Sequence, residues 1–290
     1  MLQWHLAGGD FLIQNLLVVG GDVRMEQTGH MLKQCGYDVD LIRDGTDEDW
    51  KVKMQRADLC LLPYPYAVKD GKIPGWEHGG VAAEELLSYA NSKCIVMTGN
   101  GLKSECDGIA GDMNQLKIRK YSDDPLFVQR NAEISAEAAV YECMQRMPQM
   151  LNEVNVLVLG YGLFARAIVW RLKALGARVW VAARREKSRL QAMGDGAQAV
   201  DFGGIAQLAP RMQVVMNTVP AIVLGKKELS FFADNTLLME LASPPYGIDL
   251  SAAVAMEKNV VVLPGLPSRY APISAARALK EAVLHQIQEA

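Results

Sequence analysis

The run Gly160-Tyr161-Gly162-Leu163-Phe164-Ala165 has the spacing of a chain that turns tightly and passes close to a pyrophosphate. Gly160 would allow the turn, and Gly162 would let the backbone approach the anion. Ala165 would let a helix pack closely on a strand. Leu163 and Phe164 open that helix, whose unpaired N–H groups would hold the pyrophosphate. Further on, an apolar stretch ends on Arg184-Arg185, where an NAD-type site carries Asp or Glu for the ribose 2′-hydroxyl. Two cations there suit a 2′-phosphate, so the cofactor reading is NADP.

Three later turns could border the nicotinamide: Asn217-Thr218-Val219-Pro220, Leu241-Ala242-Ser243-Pro244 and Pro264-Gly265-Leu266-Pro267. The first and last would flank the ring, with backbone, Asn or Thr groups holding its carboxamide. Ordinary turns would look the same singly. Their recurrence at successive strand ends after a glycine fingerprint favours a ligand.

In the first half, Gly20-Gly21-Asp22-Val23-Arg24 ends the opening strand. Arg24 could pair with a substrate carboxylate or form a surface salt bridge. Thr98, Asn100 and Gly101 close another strand. Asn131, Ser135 and Glu137 begin a helix whose free N–H groups could receive an anion, unless Asn131 and Ser135 simply cap it. His78 lies in a Gly-rich loop as an acid/base candidate or an exposed side chain. No metal-ligand cluster, Ser-His-Asp set or nucleophile elbow can be placed, so no metal is expected and the chemistry falls to the cofactor.

The elements that must position these residues alternate between apolar strands and amphipathic helices. Strands are expected at 16–19, 37–42, 57–62, 93–97 and 117–121, with a Pro/Gly-rich loop over 63–80 and a helix over 81–90. After a helix over 131–147 come strands at 154–159, 178–183, 197–200, 213–217, 236–241 and 260–263, then a last helix over 274–288. Continuous apolar strands separated by helices mark parallel sheets covered on both faces. The expected fold is α/β: two Rossmann-like domains with parallel sheets, joined by a connecting helix. The boundaries read as 1–130 for a substrate or partner domain and 131–150 for the connecting helix. An NADP domain would follow over 151–272, and a terminal helix over 273–290 would return to the first domain. A cleft between the domains is the natural active site.

Half of the 290 residues are hydrophobic and the net charge is −3, which argues against nucleic-acid or membrane attraction. No apolar run reaches the roughly 18 residues of a membrane span. Met1-Leu2-Gln3-Trp4-His5 lacks the basic region of a secretion signal. The five cysteines show no C-x-x-C spacing, so each is expected as a small buried hydrophobe in a reducing cytoplasm.

Over nearly its whole length the chain resembles a family from spore-forming bacteria, the dipicolinate synthase A subunits. The resemblance rests on Gly20-Gly21-Asp22-x-Arg24, Asn131-Ala132 with Ser135-Ala136-Glu137, Gly160-x-Gly162, Gly176-Ala177 and Ala183-Arg184. It continues through Asn217-Thr218-x-Pro220, Leu241-Ala242-Ser243 with Gly247 and Asp249, and Pro264-Gly265-Leu266-Pro267 with Ala271-Pro272. The fingerprint is shared with other dehydrogenases, such as relatives of shikimate dehydrogenase and adenosylhomocysteinase; the late run is more specific.

The resemblance implies oxidation of dihydrodipicolinate to dipicolinate in sporulation, with NADP as hydride acceptor and a small dicarboxylate as substrate. It also implies a partner, the flavoprotein-like B subunit of dipicolinate synthase, and a homo-oligomer is expected. Pro244 stands where the family pattern has a basic residue, and Ile273-Ser274 where it has Lys-Thr. These departures leave Arg24 and Arg269 as the carboxylate candidates, and Glu137 or water as proton acceptor. The alternatives are another two-domain NAD(P)-dependent dehydrogenase of a hydroxy or amino acid, or a non-catalytic, nucleotide-sensing protein that only activates its partner.

Overall fold

The computed structural model describes residues 13–44, 46–47, 49–64, 68–75, 79–99 and 116–289. The chain forms two compact units, Met1–Arg130 with Ala271–Ala290, and Asn131–Tyr270.

In the first unit, β1 (Asn15–Val19), α1 (Val23–Gln34), β2 (Asp38–Ile42), α2 (Trp50–Arg56) and β3 (Leu59–Leu61) open the chain. They are followed by β4 (Lys72–Pro74), β5 (Gly80–Ala82), α3 (Ala83–Ser88), β6 (Ile95–Thr98) and β7 (Lys117–Lys120). Five strands form a parallel sheet in the order β2-β1-β3-β6-β7. This is the 2-1-3-4-5 order of flavodoxin-like folds, a doubly wound relative of the Rossmann sheet. Alternate residues of β1 point to opposite faces. Leu17 and Val19 join a core with Trp50, Met54 and Leu86, while Leu16 and Val18 are buried as well. Both faces are covered, which accounts for the unbroken apolar run.

β4, inside the expected loop over 63–80, pairs as an antiparallel hairpin with β5, which runs into the helix expected over 81–90, so that helix begins only at Ala83. The hairpin explains Gly20 and Gly21. Gly21 N–H donates to the Pro74 carbonyl at 2.7 Å. A Cβ on Gly20, whose φ is +57°, would stand 2.1 Å from that same oxygen.

The long helix α4 (Pro125–Arg146) starts six residues before the expected position. Asp124 caps it, accepting from Phe127 N–H at 2.8 Å, and Pro125 takes the first turn, where its missing N–H costs nothing. The terminal helix returns to the first unit. In the second unit come β8 (Asn155–Leu159), α5 (Leu163–Ala174), β9 (Arg178–Ala182), α6 (Glu186–Gly194), β10 (Gln198–Val200) and α7 (Ile205–Leu208). Next are β11 (Val214–Asn217), α8 (Lys226–Leu229), β12 (Leu237–Glu240), α9 (Leu250–Ala255), β13 (Val260–Val262) and α10 (Leu266–Tyr270).

The second sheet is parallel throughout, in the order β10-β9-β8-β11-β12-β13. In the unit's own count this is 3-2-1-4-5-6, the dinucleotide-binding order, whose reversal point lies between β8 and β11. Val156 and Val158 pack with Ala139 and Cys143 of α4 and Ile168 and Leu172 of α5. Leu157 and Leu159 pack on the opposite face with Ile205, Leu229 and Ala253.

The last helix, α11 (Pro272–Gln288), packs against α1 in the first unit. Its Ala275, Leu279 and Val283 are buried. Gln286 Nε2 donates to the Lys120 carbonyl at 2.9 Å, and Arg119 donates to the Gln286 carbonyl at 2.7 Å. His285 Nδ1 lies 2.7 Å from Asp124 Oδ2. Cys60, Cys94 and Cys143 are buried as expected, but Cys35 is exposed because it ends α1 at the surface. Cys106 lies outside the described residues. No helix among the described residues is long and apolar enough to cross a membrane.

Candidate functional site

The second unit gathers its candidate residues at the carboxyl end of its sheet. β8 ends in Gly160, whose N–H bonds the Ala182 carbonyl at 2.9 Å. The turn needs glycine for two reasons. Its φ is +89°, and an added Cβ would lie 2.7 Å from Thr218 Oγ1 and 2.9 Å from Val219 Cγ2. The turns after β8 and β11 therefore touch at the reversal point, where a side chain would force them apart.

Gly162 has a different role. It caps α5 with an ordinary φ of −83°, and nothing among the described residues lies within 4 Å of where a Cβ would be. No side chain caps the helix's first N–H groups. Open space in front of uncapped donors is the cradle a pyrophosphate requires. Leu163 is half exposed, Phe164 is partly buried on the core and Ala165 is fully buried. Between the glycines, Tyr161 turns inward and its hydroxyl donates to Asp195 at 2.6 Å. Burial, then the Asp195 carboxylate, raises the pKa of this phenol.

β9 runs out at Ala182, and Arg184 and Arg185 follow, both exposed. Arg189 holds this turn: its Nη1 donates to the carbonyls of Ala183 at 2.9 Å and Arg184 at 2.8 Å. Arg189 was not singled out in the sequence, although it stands one helical turn after the pair.

The turns after β11 and β12 are tied by a second residue the sequence did not single out. Glu240, the last residue of β12, is 1 % exposed. Its Oε1 accepts from Asn217 Nδ2 at 2.7 Å and Ala242 N–H at 2.9 Å. Its Oε2 accepts from Asn217 Nδ2 at 3.0 Å, Gly247 N–H at 2.9 Å and Ile248 N–H at 2.8 Å. Asn217 also spans its own turn, donating to the Val219 carbonyl at 3.0 Å and accepting from Val219 N–H at 3.1 Å. Thr218 Oγ1 donates to the Leu159 carbonyl at 2.7 Å.

The side chains expected to hold a carboxamide, Asn217 and Thr218, thus have their polar groups paired within the turn. Pro220 stands exposed beside half-buried Val219. Leu241 N–H bonds the Asn217 carbonyl at 3.0 Å, and Leu241 and Ala242 are partly exposed. Past β13, Gly265 is exposed with φ +65°, and Pro267 is buried in α10.

The residues expected to handle substrate are placed otherwise. Arg24 is neither a free cation nor a surface one. It is 3 % exposed, with Nη2 2.8 Å from Asp22 Oδ2 and 2.9 Å from the Tyr64 carbonyl. Its Nε also reaches Asp22 Oδ1 at 3.3 Å, and its guanidinium lies over the Tyr64 ring. Asp22 itself is the N-cap of α1, a signal readable in Gly21-Asp22.

The expectation that Asn131 and Ser135 open a helix is corrected. They lie inside α4, so their N–H groups belong to its ladder and are not available at its terminus. Ser135 Oγ is buried and donates back to the Asn131 carbonyl at 2.7 Å. Glu137, two residues on, is exposed. Arg269 is exposed and lies over the Tyr270 ring. Thr98 is fully buried, and His78, Asn100 and Gly101 lie outside the described residues.

No family model matches the chain. The dipicolinate synthase A subunit of Bacillus subtilis is 23 % identical over 276 residues, 91 % of this chain and 92 % of that protein. The crystal structure of the dipicolinate synthase A subunit from Bacillus halodurans superposes with a TM-score of 0.83 at 23 % identity, covering 97 % of this chain and all of the other. A transhydrogenase from Sinorhizobium meliloti gives a TM-score of 0.65 at 14 % identity, covering 94 % of this chain and 93 % of its own. The chain has the α/β fold of two-domain dehydrogenases and is similar from end to end to the A subunits of dipicolinate synthase.

Proposed function

We propose that this protein is an NADP-dependent oxidoreductase that oxidises dihydrodipicolinate to dipicolinate during sporulation. It would act in the cytoplasm with a flavoprotein-like second subunit. The observation that carries the cofactor half is the open cradle over Gly162, at the reversal point of a 3-2-1-4-5-6 sheet. The substrate half is supported by the end-to-end similarity to the dipicolinate synthase A subunit.

In this reading Gly162, Leu163 and Phe164 receive the pyrophosphate on backbone N–H groups, while Gly160 and Ala165 keep turn and helix close. Arg184 and Arg185, exposed at the end of β9, take the 2′-phosphate in charge-assisted bonds. Val219, Pro220, Leu241, Ala242 and Gly265 border the nicotinamide, with Asn217, Thr218 and Pro267 supporting them from within. When bound, the nicotinamide supplies the hydride acceptor, and aromatisation of the substrate ring drives the transfer. The protein's task is alignment and an exit for one proton, for which exposed Glu137 or water serves. Arg269 is the exposed cation for a substrate carboxylate; Arg24, already paired, shapes the first unit.

The test mixes the purified protein with NADP and freshly generated dihydrodipicolinate, with and without the partner, and follows dipicolinate absorbance. Acceleration is expected. No acceleration in either mixture would overturn the proposed reaction, and acceleration only with the partner would leave a nucleotide-sensing role open beside it. Titration with NADPH and NADH tests the arginines separately. NADPH should bind more tightly, and Arg184→Asp should reverse the preference. Tighter NADH binding by the unmutated protein would refute the 2′-phosphate reading.

A further inference from the structure

Glu240 is buried and has no charged partner among the described residues, which is costly unless every lone pair is used. Here the cost is met by N–H groups from three separate pieces of chain. These are Asn217 at the end of β11, Ala242 after β12, and Gly247 with Ile248 ahead of α9. The knot extends one step further, because Asn217 fixes Val219 through both its amide groups. The Gly247 carbonyl in turn accepts from Val223 at 2.8 Å and Leu224 at 3.0 Å. Gly247 has no room for anything larger. A Cβ there would lie 2.4 Å from both Asn217 Nδ2 and the Val219 carbonyl.

A turn alone does not call for a buried carboxylate; joining three turns does, since both oxygens then have donors on more than one side. We infer that Glu240 is a positioning residue that sets the backbone bordering the nicotinamide half of the cofactor and leaves the adenosine half untouched. This rests on the cofactor reading above. The turn carrying Arg184 and Arg185 is held by Arg189, through separate bonds.

The substitution Glu240→Gln keeps size and removes the symmetry of the acceptors. Every partner of Glu240 is a donor, so the new amide NH2 must face either the Asn217–Ala242 pair or the Asn217–Gly247–Ile248 set. One side of the knot must open. Two probes separate the halves of the cofactor site: NADPH, and adenosine 2′,5′-bisphosphate, which lacks the nicotinamide. Glu240→Gln is expected to weaken NADPH at least about tenfold while changing the bisphosphate by less than about twofold.

Gly247→Ala presses on the same knot from the other side without touching the carboxylate, and it should give the same split. It also decides the matter if Glu240→Gln does not fold. Parallel loss of both probes would make the knot a general fold element and overturn the inference. Unchanged NADPH affinity in a folded variant would overturn it too. Wild-type protein that binds neither probe would overturn the cofactor reading itself, and the inference with it.

Discussion

The two glycines of the fingerprint should fail in opposite ways when each is replaced by alanine. At Gly160 the φ of +89° costs an L-residue about 1–2 kcal/mol. The new Cβ also falls 2.7 Å from Thr218 Oγ1, an atom held in place by its bond to the Leu159 carbonyl. Such overpacking adds about 1–3 kcal/mol, and the stiffer unfolded chain returns only about 0.4–1 kcal/mol. Gly160→Ala should therefore lose about 1–5 kcal/mol, a fall in melting temperature on the order of 3–15 °C.

At Gly162 the φ is ordinary and the Cβ meets nothing among the described residues. Weaker capping and a stiffer unfolded chain nearly cancel, so Gly162→Ala should stay within about 1 kcal/mol of wild type. Its methyl group would stand in the open cradle, and NADPH affinity should drop at least about tenfold. Thermal unfolding by circular dichroism without nucleotide, followed by NADPH fluorescence titration, reads both effects. Equal melting shifts for the two variants would refute the division of roles. So would wild-type NADPH affinity in Gly162→Ala.

Arg24→Ala should destabilise the protein by about 2–4 kcal/mol, because it removes a buried guanidinium together with its bonds to Asp22 and the Tyr64 carbonyl. Arg24→Lys should restore only part of this, since an ammonium cannot make the forked contact; an unchanged urea midpoint in either variant would show that the arginine is not structural. The docking of α11 should depend on pH through Asp124 and His285. The hydrogen bond to Asp124 raises the His285 pKa. Burial pushes Asp124 up, but the Phe127 N–H bond and His285 outweigh it and leave its pKa lowered. The pair's contribution is therefore complete between the ordinary Asp value near about 3.9 and the ordinary His value near about 6.5. It is lost as pH rises through the raised His285 pKa, or falls through the lowered Asp124 pKa. Amide exchange over 272–288, compared between wild type and His285→Ala across that range, checks this; identical profiles would remove the pair from the account.

The second unit was legible in the sequence because its signals are local. β8 is an unbroken apolar run, the glycines follow it directly, and β11, β12 and β13 end on turns containing Asn, Pro or Gly. The hairpin of β4 and β5 was hidden because Ile73 is a single apolar position between Lys72 and Pro74, and Val81 merges with the apolar start of the following helix. The start of α4 was signalled by Asp124-Pro125, yet the apolar periodicity is clearer further along, and that drew the boundary to Asn131. Arg24 and Glu240 were illegible for a common reason. A charged side chain belongs on the surface by default, and only the folded chain shows that Asp22 and Asn217 make burial tolerable.

The terminal helix has a consequence for the order of synthesis. Residues 131–270 form one continuous stretch and can fold as soon as they leave the ribosome. The first unit is completed later, when the last helix packs on α1 and Ala275, Leu279 and Val283 become buried. The strands of the first unit and the helix that completes it are thus separated in the chain by an entire second unit. Until then the side of α1 that the last helix covers lacks that cover, which makes it a surface for a chaperone to shield.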